Sequence, residues 1–356
     1  MSFELRKLED VCDILDHIRI PITSRDRKDG PYPYYGANGI QDYIDDYIFD
    51  DDLVLLAEDG GNFGSKEKPI AYRISGKTWV NNHAHVLKPK NIIDVDYLCY
   101  SLMYYDVSGL VNGATRQKLT QSEMRKINIR YRSLEKQRQI VFKIKLVSNI
   151  ISSREHQLSN LNLLVKSRFI EMFIQNDAVF PKKKLGECTI INPKKSMDNR
   201  LKDDLIVSFV PMAAVGEDGS INTSDTKTYC EVKNGFTYFI DGDVLFAKIT
   251  PCMENGKGAV ATNLSNGIGF GSTEFHVIRP LEGITNPVWL YTLSVLKEFR
   301  LAAEANMTGS AGQKRTPSSF LQNYEIKLPP IDLQDQFADF VAQVDKSKFV
   351  VTAKFQ

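Results

Sequence analysis

The chain has 356 residues, enough for two or more domains with cores of their own, and its apolar, aromatic and charged fractions of 42%, 10% and 25% are those of ordinary globular proteins. A net charge of +1 excludes a polycation that binds by bulk charge; no apolar run nears the roughly 18 residues that cross a bilayer, and MSFELRKLED has no signal-peptide character, so a cytoplasmic protein is expected. Cys12, Cys99, Cys188, Cys230 and Cys252 are scattered and form no C-x-x-C pair, which excludes a disulfide framework or zinc site and predicts buried free thiols.

In chain order, Lys7 to Ile14 (KLEDVCDI) reads as a short helix or strand entering a domain. Pro31 to Ile40 (PYPYYGANGI) reads as a loop, and Asp42, Asp45, Asp46, Asp50, Asp51 and Asp52 form an acidic run. Leu53 to Ala57 is a buried strand, Glu58 to Gly64 (EDGGNFG) a glycine-rich turn, and Thr78 to Pro89 alternates like a strand. Asp96 to Tyr105 reads as a helix and Gly113 to Lys118 (GATRQK) as a polar loop. Between Gly113 and Lys145, ten basic residues (Arg116, Lys118, Arg125, Lys126, Arg130, Arg132, Lys136, Arg138, Lys143, Lys145) stand against Glu123 and Glu135. Such a cluster is either a solvated face or an anion-binding one.

From Leu134 to Gln175 there is no Pro or Gly. Ile140, Ile144, Val147, Ile151, Leu158, Leu161, Val165 and Met172 follow a heptad, with Arg154 and Arg168 in the two remaining seam positions. The pattern predicts a helix of about forty residues, roughly 60 Å long, that acts as a rod. Two helices broken near Ser152-Ser153 are the alternative.

After Asn176 the order of motifs returns. Lys184-Leu185 matches Lys7-Leu8, Ile240-Asp241-Gly242-Asp243-Val244 matches Phe49 to Leu53, and His276 to Pro280 matches His85 to Pro89. Gln313-Lys314 matches Gln117-Lys118, and Ile331 to Gln334 matches Leu134 to Gln137. The offsets are 177, 191, 191, 196 and 197, growing as insertions between equivalent elements would make them. The seam recurs as Phe337, Val341, Val344 and Val351. The chain is therefore expected to be an internal duplication, each half a globular domain followed by a helix, with the two helices pairing antiparallel.

These residues resemble the DNA-specificity (S) subunits of type I restriction-modification systems. The resemblance is carried by GDVLFAKITPCMENGKGAVA and STEFHVIRP between Asp241 and Pro280, by YPYYGANGI at Tyr32 to Ile40, and by the hinges RSLEKQRQI and LPPIDLQDQ. It implies an α+β fold: two tandem α/β target-recognition domains, a long coiled-coil helix between them, and a shorter C-terminal helix packed antiparallel to it. The expected division is residues 1–133, first recognition domain; 134–177, spacer helix; 178–330, second recognition domain; and 331–356, a second helix shorter than the family's. It further implies that each domain reads one half of a bipartite DNA site, the helices setting the spacer. Two methyltransferase subunits dock on those helices and motor-nuclease subunits join them. The chain is then no enzyme and has no cofactor of its own, S-adenosylmethionine, ATP and Mg belonging to the partners. The short second helix leaves self-association of two copies open.

Base readout needs Arg or Lys for guanine, Asn or Gln for adenine and apolar groups for thymine methyls. Loops offering these types carry Tyr34, Tyr35, Asn38, Asn62, Asn81, Asn82, His83, Arg116, Gln117 and Lys118 in the first half. The second half offers Lys248, Thr250, Asn255, Lys257, Ser272, Thr273, Gln313, Lys314 and Arg315. The segments Gly113–Lys118 and Gly309–Arg315, each just before a helix, are the strongest candidates. His83 and His85 as a metal pair are disfavoured because His83 falls opposite Glu274 in the repeat. EDGGNFG lacks the spacing of a nucleotide-binding loop, and Asn286-Pro287-Val288-Trp289 reads as a helix start. The rival reading is a DNA methyltransferase or nuclease with its own active site, and a coiled-coil scaffold is a third. Missing methyl-donor and Asp/Glu-x-Lys motifs count against the enzyme.

Overall fold

The computed structural model describes residues 3–113, 117–175, 179–310 and 312–353. It divides into two compact units, residues 1–152 and 153–356, so the boundary falls inside the long helix.

In the first unit, an antiparallel sheet takes its strands in the order Cys12–Ile14, Ala84–Pro89, Leu53–Ala57, Ala71–Ile74. A second sheet runs Gly39–Ile44, Asp29–Gly36, Lys77–Val80, Phe49–Asp50, with its middle two strands parallel. The strand Leu53–Ala57 is sealed from water on both faces. Val54 and Leu56 enter one core and Leu53 and Leu55 the other, as the two-residue period of a strand requires. A ribbon of Glu4–Lys7 against Asn128–Tyr131 closes the unit.

The second unit repeats this. Its sheets run Thr189–Ile191, Phe275–Pro280, Val244–Ala247, Gly258–Val260 and Thr226–Thr228, Ile206–Val210, Ile268–Gly271, Thr237–Ile240. The parallel pair again lies in the middle of the second sheet, and Lys182–Lys184 pairs with Glu325–Lys327 as the closing ribbon. Val244 and Phe246 face one core, Leu245 and Ala247 the other. The duplication expected from the motif offsets is thus a duplication of topology.

Several local readings change. Lys7 to Ile14 is both things at once, a helix Leu8–Val11 followed by the strand Cys12–Ile14. Pro31 to Ile40 is a hairpin, not a loop, turning at Ala37-Asn38. Thr78 to Pro89 is two strands in different sheets, because the Asn81 side chain accepts from the His83 N–H at 2.8 Å and turns the chain between them. Cys12, Cys99 and Cys188 are buried, but Cys252 is half-buried and Cys230 exposed. Asn286 caps the helix Pro287–Val295, accepting from the Val288 N–H at 2.8 Å with Pro in the first turn, as read.

The long helix is continuous from Leu134 to Phe173, which removes the broken alternative. Its start packs Ile140 and Val141 onto the first unit's core, and its end packs Val165, Phe169, Met172 and Phe173 into the second unit's core. The C-terminal helix Ile331–Ala353 lies antiparallel to that end: Phe337 meets Phe169 and Phe173 at ring centroids of 5.3 and 5.6 Å, and Arg168 stacks on Phe340. Farther along, Asn162 and Val165 share a cleft with Val341, Asp345 and Lys348. Val344 is buried and Leu158 and Leu161 half-buried.

Two parts of the predicted seam are corrected. Near the C-terminal end, Phe169 and not Arg168 enters the core, because a helix docked on a globular domain buries a wide 3.6-residue stripe instead of a narrow 3.5-residue seam. Toward the middle, Val147 and Ile151 are 54% and 45% exposed and Ile144 half-buried.

Candidate nucleic-acid interface

In both units the strand from the doubly buried core position runs out into a candidate loop, and the next candidate loop is tied to its end. In the first unit the Leu119 N–H donates to the Glu58 carbonyl at 2.7 Å, and the Glu58 N–H to the His83 carbonyl at 2.9 Å. In the second the Thr316 N–H donates to the Lys248 carbonyl and the Lys248 N–H to the Glu274 carbonyl, both at 2.9 Å. The equivalence places Glu58 with Lys248, His83 with Glu274 and Lys118 with Arg315; the motif pairing of Lys118 with Lys314 is corrected by one residue, because the backbone bonds match Leu119 to Thr316.

A buried histidine pins each arrangement. His85 Nε2 donates to the Leu119 carbonyl at 2.8 Å, and His276 Nε2 to the Thr316 carbonyl at 2.8 Å. The other ring nitrogen faces different partners. His85 Nδ1 lies 2.6 Å from the Asp16 carboxylate, whose second oxygen accepts the Val86 N–H at 2.9 Å. His276 Nδ1 lies 3.1 Å from the Asn192 amide, whose oxygen accepts the Val277 N–H at 3.0 Å. The first latch sets its histidine against a carboxylate, the second against an amide.

Burial alone would raise the Asp16 carboxyl, but the bond and charge of His85, with Val86 N–H and Arg19, hold it below the usual carboxylate value. Burial lowers the His276 pKa, against the opposing pull of the Thr316 carbonyl. Asp16, Glu58 and His85 lie close enough to share a metal ion. Their donors are already engaged, however: Arg19 bonds Glu58 at 2.6 Å, Lys118 pairs with it at 3.0 Å and Gln121 donates to Asp16 at 3.0 Å. His83 pairs instead with Asp59, at 2.6 Å, so the two histidines serve different sites.

The remaining candidates divide by surroundings. Tyr34 is buried, its hydroxyl bonded to Ile22, and Asn81 is buried against Gln41; both shape the interior and present nothing to a base. Tyr35 is half-buried beside Tyr72. Asn38 and Asn62 are brought together from separate segments, Asn62 Nδ2 donating to Asn38 Oδ1 at 3.2 Å and Asn38 Nδ2 to the Gly60 carbonyl at 2.9 Å. Asn82 and Gln117 are exposed, and Arg116 lies outside the described residues. In the second unit Lys257 donates to the Met212 carbonyl, Thr250 to Glu254 and Asn255 to Glu217. Lys248 is half-buried, Ser272 accepts the Glu274 N–H, and Thr273, Gln313 and Lys314 are exposed.

Part of the basic cluster is ion-paired within its own unit: Lys118 with Glu58, Arg125 with Glu9, Lys126 with Glu123 and Lys145 with Asp96. The acidic run is likewise engaged, Asp42 with Arg27, Asp51 with Lys88 and Asp52 with Arg73.

Two residues passed over as site candidates stand out. Gln137 and Gln334, at the start of the two helices, are fully buried. Gln137 accepts the Asp94 N–H and donates to the Ile92 and Arg132 carbonyls at 2.8, 3.1 and 2.7 Å. Gln334 accepts the Asn286 N–H and donates to the Ile284 and Pro329 carbonyls at 2.9, 3.0 and 2.8 Å. Each amide ties its domain to its helix. Their recurrence in LEKQ and IDLQ was the available signal.

Residues 2–163 and 169–354 each match the family model described as the type I restriction modification DNA specificity domain. The EcoAI type I restriction enzyme specificity subunit of Escherichia coli is 43% identical over 148 residues, 41% of this chain and 24% of that protein. A putative type I specificity subunit of Haemophilus influenzae is 24% identical over 95% of this chain and 86% of its own length. Among solved structures, a type I restriction-modification S subunit from M. genitalium superposes with a TM-score of 0.57 at 10% identity, covering 99% of this chain and 92% of that one. A chain from a study of type I R-M complex assembly gives 0.52 at 15% identity, with the same coverage.

Proposed function

Because the chain belongs to the type I restriction modification DNA specificity family, we propose that it is the non-catalytic DNA-reading subunit of such a system, each half reading one part of a bipartite site. The observation that carries this is the two-sheet topology, with its loops latched at equivalent strand ends, repeated before and after one continuous helix in the order of the chain. On this reading residues 1–133 and 178–330 are the recognition domains, and the helices 134–177 and 331–356 set the spacing. The apolar side chains left open along the long helix, Phe142, Leu146, Val147, Ile150 and Ile151, fit docking of methyltransferase subunits. S-adenosylmethionine, ATP and Mg would be bound by those partners and by the motor subunits.

The test is to insert one heptad in the middle of the long helix and map the methylated sites of a host carrying the variant. Seven residues add about 10.5 Å, so the spacer should grow by about three base pairs. A spacer of unchanged length would contradict a helical ruler. Log affinity should also fall with log salt at a slope of about −0.9 per phosphate neutralised.

A further inference from the structure

Lys118 and Arg315 end the two candidate loops at equivalent places, yet they are held differently. Arg315 gives Nε and Nη2 to both oxygens of Glu274 at 2.7 to 3.1 Å, and Nη1 to the Gln313 carbonyl at 3.1 Å. This clamp fixes the plane of the guanidinium, and the Arg315 side chain is still 43% exposed. A guanidinium carries five N–H groups, so one on each terminal nitrogen remains without a partner among the described residues. Two donors on a rigid planar fork match the O6 and N7 acceptors of guanine in the major groove.

A phosphate contact needs charge more than direction, and a carboxylate at 2.7 Å works against it by repelling the same phosphate. Glu274 thus sacrifices attraction and leaves orientation. In the first unit the cation is a lysine, held at a single 3.0 Å contact by Glu58, which comes from a different strand end. An ammonium is a point charge and fixes no plane.

We propose, resting on the DNA-reading function above, that Arg315 is a specificity-determining residue that reads a guanine in the half-site of the second domain, with Glu274 as its positioning residue. The equivalent Lys118 supplies no such bidentate contact.

The complex that co-purifies with the full chain from its host is exposed to a randomised duplex library, and the bound DNA is sequenced, for wild type, Arg315→Lys and Glu274→Gln. Wild type should select a bipartite motif. Each variant should lose about tenfold or more of the preference for guanine at one position of one half-site, the other positions staying as they were. Glu274→Gln should keep total DNA affinity, since it removes an acid. A uniform loss over the whole motif, or an unchanged motif in both variants, would overturn the guanine assignment and leave DNA reading intact. A wild-type complex that selects no bipartite motif would overturn both.

Discussion

The two latches compare one task solved twice within one chain. In each unit a histidine on the strand beside the central one bonds a carbonyl at the end of a candidate loop. The first unit backs it with a carboxylate and surrounds that pair with Arg19, Glu58 and Lys118; the second backs it with an amide and places the acid, Glu274, where the first has His83. The backbone bonds are the same in both, while the charges have been redistributed. What persists is the requirement that buried polar groups be satisfied; which residue satisfies them is free to change.

The largest expected effect comes from breaking the latches themselves. His85→Ala takes from the buried Asp16 carboxylate its 2.6 Å partner, leaving it Arg19 at 3.6 Å and Gln121, and should cost about 3 kcal/mol, whereas His276→Ala leaves neutral groups unsatisfied, at about 1–2 kcal/mol. Chemical denaturation read by hydrogen-exchange mass spectrometry, which reports each half separately, checks the ranking. Equal costs would show that the carboxylate adds nothing over the amide.

The hinge glutamines should behave alike. Gln137→Ala and Gln334→Ala each remove three hydrogen bonds and strand a half-buried N–H, so each should destabilise its half by about 2 kcal/mol. The same measurement applies, and a difference above about 1 kcal/mol would break the equivalence of the hinges.

The smallest effect separates the halves by pH. His276 has a lowered pKa in the folded chain, so the unfolded chain binds the proton more readily as pH falls through the usual histidine value of about 6.5. The second half should therefore lose stability on acidification below that value. Asp16 has a lowered pKa, so its contribution is present above the usual carboxylate value of about 3.9 and lost only as pH falls below it. Hydrogen exchange at pH 7 and pH 5 should show the second half loosening through His276. No change in that half would place the His276 proton elsewhere.

Much of this was legible in the residues because it depends on order and period. Leu53 to Ala57 was readable as a buried strand, the Leu134 helix from its unbroken heptads, and the duplication from offsets that drift slowly. Which candidates stand free was not legible. Tyr34 and Asn81 have the chemistry of base readers and lie in the interior; Gln137 and Gln334 look like ordinary helix-surface amides and are buried.

The sequence by itself determined the repeat, the helices and the family to which the chain belongs, since these follow from local periodicity and motif order. Only the tertiary structure decided that Phe169 replaces Arg168 in the core, that Val147 and Ile151 stay open, and that Glu58 and Glu274 hold equivalent cations from different strands. The physical reason is that burial and pairing depend on groups far apart in the chain, such as Arg315 and Glu274, whose meeting no local pattern records.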